Sequence, residues 1–187
     1  HTGIYPRKPI VQVDFDPLQL GKFHSVTVPV WGQISVVARL FAEGLGDELA
    51  ATDQRPDVAA RQALWREEKS RRARDDRGLG VNSAAVFAAL TRACPGDAVI
   101  AVDVGNHAYS FGRYFECSGE QRILMSGYLG SIGFGYPAAM GAWAATRGKR
   151  PTCAVTGDGG FAQYMAELLT AVKHQMNITH VLLNNGQ

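Results

Sequence analysis

Cysteine is scarce in this 187-residue sequence. Cys94, Cys117 and Cys153 show no C-x-x-C spacing and no histidine at zinc-ligand spacing. That excludes a zinc module and a disulfide framework, and leaves three ordinary thiols in or near a core. An odd, sparse count suits a reducing compartment, so a cytoplasmic location is expected. An excess of one charge is also missing: 19 Lys and Arg against 17 Asp and Glu give +2. A charge this small gives no footprint for nucleic acid or an anionic membrane surface. No apolar run reaches the roughly 18 residues that a membrane span requires. The opening "HTGIYPRKPIVQV" has no signal-peptide pattern and does not begin with Met. Repeats and low-complexity tracts are absent. A 46% hydrophobic and 19% charged composition excludes disorder and fits a globular chain.

Glycine is what the sequence has in abundance, at 21 residues, many of them between Gly105 and Gly160. Concentrated there, they indicate tight turns and close backbone approach. The opening "KPIVQVDFDP" reads as a buried strand entering a turn, and "VLLNNGQ" stops just after a strand. Both ends suggest a piece of a longer chain. Pro9–Phe15 and Val26–Gly32 read as strands, the second edge-like because of Pro29. Gln33–Leu45 has helical apolar spacing at Ile34, Val37, Leu40 and Phe41, with Gly44 and Gly46 as stops. The stretch 51–77 is charged and reads as a linker, its basic run Arg71–Arg74 being a solvated face. The expected domains are therefore 1–50 and 78–187, on either side of it.

From Gly78 the order is helix, strand, helix, strand, helix, strand. "VNSAAVFAALTRACPG" is a helix capped by Asn82 or Ser83 and stopped by Pro95-Gly96. "DAVIAVDVG" is a strand of the wholly buried kind, and "GNHAYSFGRYFE" reads as a loop. A Gly-punctuated loop then leads into a small-residue helix, followed by the strand Thr152–Thr156, a helix and the strand Ile178–Leu183. This alternation predicts an α/β fold, a parallel sheet flanked by helices.

Chemistry concentrates at two strand ends. Gly157, Asp158 and Gly159 follow one strand, and Asn184 and Asn185 follow the next. Binding loops of parallel sheets lie at the carboxyl ends of strands, so neighbouring strands would bring the acid and the amides together. The crossover between them carries Phe161, Met165, Leu168, Leu169 and Val172 on one face. Asp158 precedes a helix N-terminus, which attracts phosphate, and Gly159 and Gly160 permit close approach. A carboxylate beside a phosphate needs a cation between them, and Mg2+ with oxygen ligands is the natural one. Asp158, Asn185 and a carbonyl near Gln187 form the candidate ligand set.

Gly-Asp-Gly, 24 residues (Gly160–Leu183) and Asn-Asn together resemble the thiamine-diphosphate-binding motif. "GYLGSIGFGYPAAMGA" resembles the Gly-rich signature of the pyruvate oxidase and acetolactate synthase group of thiamine-diphosphate-dependent enzymes. "DVGNHAYS" is similar to its Asp-x-Gly segment, and "VDFDPLQLGKFHSVTVPVWGQISVVARLFAEGL" to the end of its central domain. The resemblance implies that 1–50 closes a Rossmann-like central domain of FAD or nucleotide type. It implies that 78–187 is a diphosphate-binding domain truncated at its C-terminus.

By the same resemblance, Asp158, Asn185 and the Gln187 carbonyl hold Mg2+. Gly157, Gly159, Gly160 and Phe161 offer backbone groups to the diphosphate, and Gly105, Asn106 and His107 meet it from the other side. Gly130, Ser131 and Ile132 bind the pyrimidine and bend the cofactor, with Ile132 where the group usually has Met. FAD is a further candidate through Asp14, Phe15 and Asp16, although Gln33 replaces an expected Asp. The implied activity is decarboxylation of a 2-oxo acid, pyruvate first, with oxidation or transfer of the resulting enamine. Oxidase-like chemistry leads, and acetolactate synthase or benzoylformate-type decarboxylase is the alternative. A non-catalytic diphosphate-binding module is the alternative of another class. The activating Glu of this group belongs to an N-terminal domain, so no residue here is assigned as catalytic and the chain alone is expected to be inactive. The resemblance further implies a homodimer or homotetramer with its active site between subunits.

Overall fold

The computed structural model describes residues 8–46, 52–76 and 78–185. The chain forms two compact units, His1–Pro56 and Asp57–Gln187. In the first, β1 (Val11–Asp14) pairs in parallel with β2 (Val28–Trp31). Between them Asp16 caps a 3-10 turn, Pro17–Gln19, accepting from the Leu18 N–H at 3.0 Å. Gln12 pins the return: its amide donates to the Gln19 carbonyl and accepts from the Gly21 N–H, both at 2.8 Å. Helix α1 (Ile34–Leu45) follows, and of its apolar stripe only Val37 is buried. The strand expected to be buried is half-exposed, with Val11 at 50%, because its described neighbours are one strand and one helix.

Helix α2 (Arg55–Ala73) occupies most of the charged stretch. Its basic run faces water and pairs internally, Glu68 accepting from both Arg71 and Arg72. Lys69 is the exception: it is buried, lies over the Trp65 ring and pairs with Glu116 at 2.8 Å.

The second unit holds a four-stranded parallel sheet in the order β4-β3-β5-β6. Its strands are β3 (Val99–Val102), β4 (Arg122–Met125), β5 (Thr152–Gly157) and β6 (Ile178–Leu183). Helices α3 (Ser83–Ala93), α4 (Asn106–Tyr114), α5 (Gly135–Thr146), α6 (Asp158–Tyr164) and α7 (Glu167–Lys173) complete it. Asn82 caps α3, accepting from the Ala85 N–H at 2.9 Å. Strand alternation divides the core in two. Ile100, Val102, Cys153 and Val155 pack with Phe87 of α3 and Phe111 of α4. Ala101 and Ala154 face Tyr136 and Ala139 of α5 and Ala171 of α7. Small residues on that second side let α5 lie close; a Cβ on Gly135 would stand 2.8 Å from the Asp103 Cβ.

Two elements depart from the sequence expectation. The stretch read as a loop contains α4, which buries Phe111 and Tyr114 one turn apart, and is followed by β4. The crossover after Asp158 is two short helices instead of one. Its apolar stripe is exposed rather than inward, with Met165 at 60%, Leu169 at 75% and Val172 at 72%.

Candidate functional site

From β3 the chain goes first to β4 on one side, then to β5 on the other. Such a reversal opens a crevice at the strands' carboxyl ends, between β3 and β5. A cavity of about 490 Å³ lies there. Its walls include Gly105, Asn106 and His107 after β3, Gly157–Gly160 after β5, Asn184 and Asn185 after β6, and Ile132.

The register between β5 and β6 sets where the acid and the amides stand. Gly157 is the partner of Leu183, so Asp158 and Asn184 leave their strands side by side and Asn185 follows one step on. Parallel neighbours stand about 4.8 Å apart. Both Asp158 and Asn185 line the one cavity.

Asp103 organises the loops around it. Fully buried, its carboxylate accepts from the Gly133 N–H at 2.9 Å and 3.1 Å and from the Val104 N–H at 2.8 Å. Its Oδ2, which takes the longer of the two Gly133 contacts, fills the space a side chain on Gly160 would need. One acid therefore joins the end of β3, the Gly-rich loop and the start of α6. Sequence reasoning passed over it as the first letter of Asp-x-Gly. The signal was there: an acid at the end of a wholly apolar strand must be paired.

His107 is the second organiser. A Cβ on Gly105, whose φ is +150°, would stand 3.0 Å from the imidazole, and one on Gly157 would stand 3.1 Å away. Both glycines thus make room for the ring. Burial lowers the ring's pKa, opposed by the nearby Asp103 charge and by a hydrogen bond to the Asp103 backbone. Its Nε2 is buried and has no hydrogen-bond partner among the described residues. Gly159 instead faces open space at the cavity.

Three expected residues stand off the lining. Gly130, at φ +63°, turns the loop, and the Ser131 N–H donates to Ser126 Oγ at 3.1 Å. The Phe161 ring packs on His180 with centroids 4.8 Å apart. Gln187 lies outside the described residues. No cluster of three His, Cys, Asp or Glu that could hold a metal ion occurs among the described residues. None of their helices is long and apolar enough to cross a membrane.

Fold and site together define an α/β domain with a crevice at its sheet's switch point, where folds of this kind bind ligands. Residues 103–187 match the family model of the thiamine pyrophosphate enzyme, C-terminal TPP binding domain. Along 182 residues the chain is 31% identical to acetolactate synthase isozyme 3 large subunit of Escherichia coli (strain K12), covering 96% of this chain and 31% of that protein. It is 32% identical over 178 residues to the putative thiamine pyrophosphate-containing protein YdaP of Bacillus subtilis (strain 168), 95% of this chain and 30% of the other. The acetolactate synthase of Arthrospira platensis is 30% identical over 184 residues, 95% and 30% of the two chains. Residues 103–187 belong to the thiamine-diphosphate-dependent enzyme family through its C-terminal cofactor-binding domain, and the chain as a whole is similar to acetolactate synthases. It spans about a third of the length of these curated relatives.

Proposed function

We propose that this chain supplies the diphosphate- and Mg2+-binding half of an enzyme that decarboxylates a 2-oxo acid and transfers the remaining two-carbon unit to a second one. The observation that carries the reading is the β5–β6 register, with Asp158 and Asn185 on one cavity. The relatives' names favour transfer over the oxidation first expected: acetolactate synthases recur among them.

The residues fit the cofactor. A carboxylate and an amide oxygen suit Mg2+, which takes few protein ligands beside phosphate and water. In this reading Asp158 and Asn185 hold the ion, joined by the Gln187 carbonyl. The unpartnered His107 Nε2 takes its missing partner from the diphosphate, because buried polar atoms require one. Gly105, Asn106, Gly157, Gly159, Gly160 and the Phe161 N–H bring backbone close to phosphate oxygens. Gly130, Ser131 and Ile132 belong to the pyrimidine side, where Ile132, half-exposed at the wall, excludes water. When bound, thiamine diphosphate supplies a nucleophilic carbon and an electron sink for decarboxylation. No acid or base on this chain is assigned to proton transfer; Glu167, on α7, is not at the lining. The exposed stripe of α7 supports assembly into a homodimer or homotetramer with the site between subunits.

The test uses the full-length protein with a panel of 2-oxo acids, thiamine diphosphate and Mg2+, with and without FAD and an electron acceptor. We expect CO2 release and a condensation product without the acceptor. Acceptor-dependent turnover identifies the oxidase branch. If no 2-oxo acid loses CO2, the enzymatic reading fails.

A further inference from the structure

His180, on β6, lies beneath the site. Its Nε2 is 2.7 Å from Thr156 Oγ1, a hydrogen bond whichever tautomer the ring adopts. The Thr156 side chain is fully buried. The imidazole also sits between two rings, Tyr136 with centroids 5.1 Å apart and Phe161 with centroids 4.8 Å apart. Strand register explains the arrangement: His180 pairs with Ala154, so its side chain shares a face with Thr156, two residues on.

The three partners are not scattered. Thr156 is two residues before Asp158 and Phe161 is three after it. Tyr136 stands in the first turn of α5, just after the Gly-rich loop. Between Thr156 and Phe161 lie Gly157, Asp158, Gly159 and Gly160, and Gly157 as N-cap makes no side-chain hydrogen bond. Gly157 ends β5 and Asp158 opens α6, so the turn between strand and helix falls within this glycine-rich segment. Asp103 and His107 brace it from one side, and the residues that flank it, Thr156 and Phe161, both rest on the His180 imidazole. On this side of the sheet Ala101, Ala154 and Ile178 are apolar and Thr156 is polar, so the histidine answers the buried Thr156 hydroxyl and not the packing around it.

We propose that His180 is a positioning residue: its contacts with Thr156, Phe161 and Tyr136 fix the 157–160 segment so that Asp158 meets the cofactor's metal ion. The inference rests on the proposed cofactor reading. It concerns a side chain that touches neither cofactor nor metal in that reading.

The experiment measures Mg2+-dependent thiamine diphosphate binding by calorimetry in the full-length protein, together with its thermal midpoint. The variants are His180→Leu, His180→Gln, Thr156→Val and the double Thr156→Val/His180→Leu. We expect His180→Leu to weaken Mg2+-dependent binding about tenfold, as loss of a buried hydrogen bond implies. His180→Gln, whose amide reaches the position of Nε2, stays within about threefold of the unmodified protein. The double variant binds no worse than His180→Leu, because the two changes remove one shared bond. Unchanged affinity in a folded His180→Leu protein overturns the inference, as does a glutamine variant no better than leucine or losses that simply add. If His180→Leu does not fold, Thr156→Val carries the test: normal affinity there overturns the inference and weakened affinity supports it. Absence of Mg2+-dependent binding in the unmodified protein overturns the cofactor reading itself, and the inference with it.

Discussion

At the scale of single residues, the tightest constraint on the site is the contact between Asp103 and Gly160. The carboxylate is fixed by the Gly133 and Val104 N–H groups, so it cannot swing aside for a side chain. Gly160→Ala forces a buried clash, and we expect a loss of roughly 1–3 kcal/mol. Gly159→Ala meets nothing within 4 Å and should leave stability nearly unchanged. Paired denaturant melts check this contrast; equal effects of the two substitutions would remove Asp103 from its organising role. At this scale the sequence was partly readable. Asp158 and Asn185 were singled out because their residue types and spacing carry chemistry, whereas His107 and Ile132 entered only through the family resemblance. Asp103 and His180 were not, because their importance lies in which distant backbone groups and rings they touch.

At the scale of elements, the last two strands were the easiest to read. β5, buried along five of its residues, and the half-buried β6 match the expected Thr152–Thr156 and Ile178–Leu183 within a residue, because short β-branched, apolar-rich runs between turn signals have few other uses. α4 and β4 were missed for opposite reasons. α4 is short, polar on one side and interrupted by Gly112, and β4 has four residues, too few for a period to show. The apolar stripe of the crossover was legible as a stripe, but periodicity does not say whether the chain's own sheet or another surface covers it.

Helix α2 carries its own test. Lys69 beside it holds the Glu116 carboxyl below its ordinary range, with the Arg66 charge adding to the effect. A depressed carboxyl pKa stabilises the fold above the unfolded value near 4.5, and that contribution is lost as pH falls through the folded one. Glu116 is about a third exposed, so solvent screening discounts the pair. We expect Glu116→Gln to cost roughly 1–2 kcal/mol at pH 7 and progressively less as pH falls below the unfolded value. A pH-independent difference in unfolding free energy would refute the pairing.

At the scale of the whole molecule, the proposed assembly makes the exposed stripe of α7 an interface. Charge placed on such a surface, as in Leu169→Asp, should shift the full-length protein toward monomer in sedimentation velocity runs. An unchanged sedimentation coefficient would place the interface elsewhere.

The central claim is that Asp158 and Asn185 hold one divalent ion that carries the cofactor's diphosphate. Titration of thiamine diphosphate into the full-length protein, with Mg2+ and then with chelator, tests it most directly. We expect binding that requires Mg2+ and that weakens ~100-fold or more in Asp158→Ala and in Asn185→Ala. Thiamine diphosphate affinity retained in Asp158→Ala, or binding indifferent to chelator, would contradict the claim.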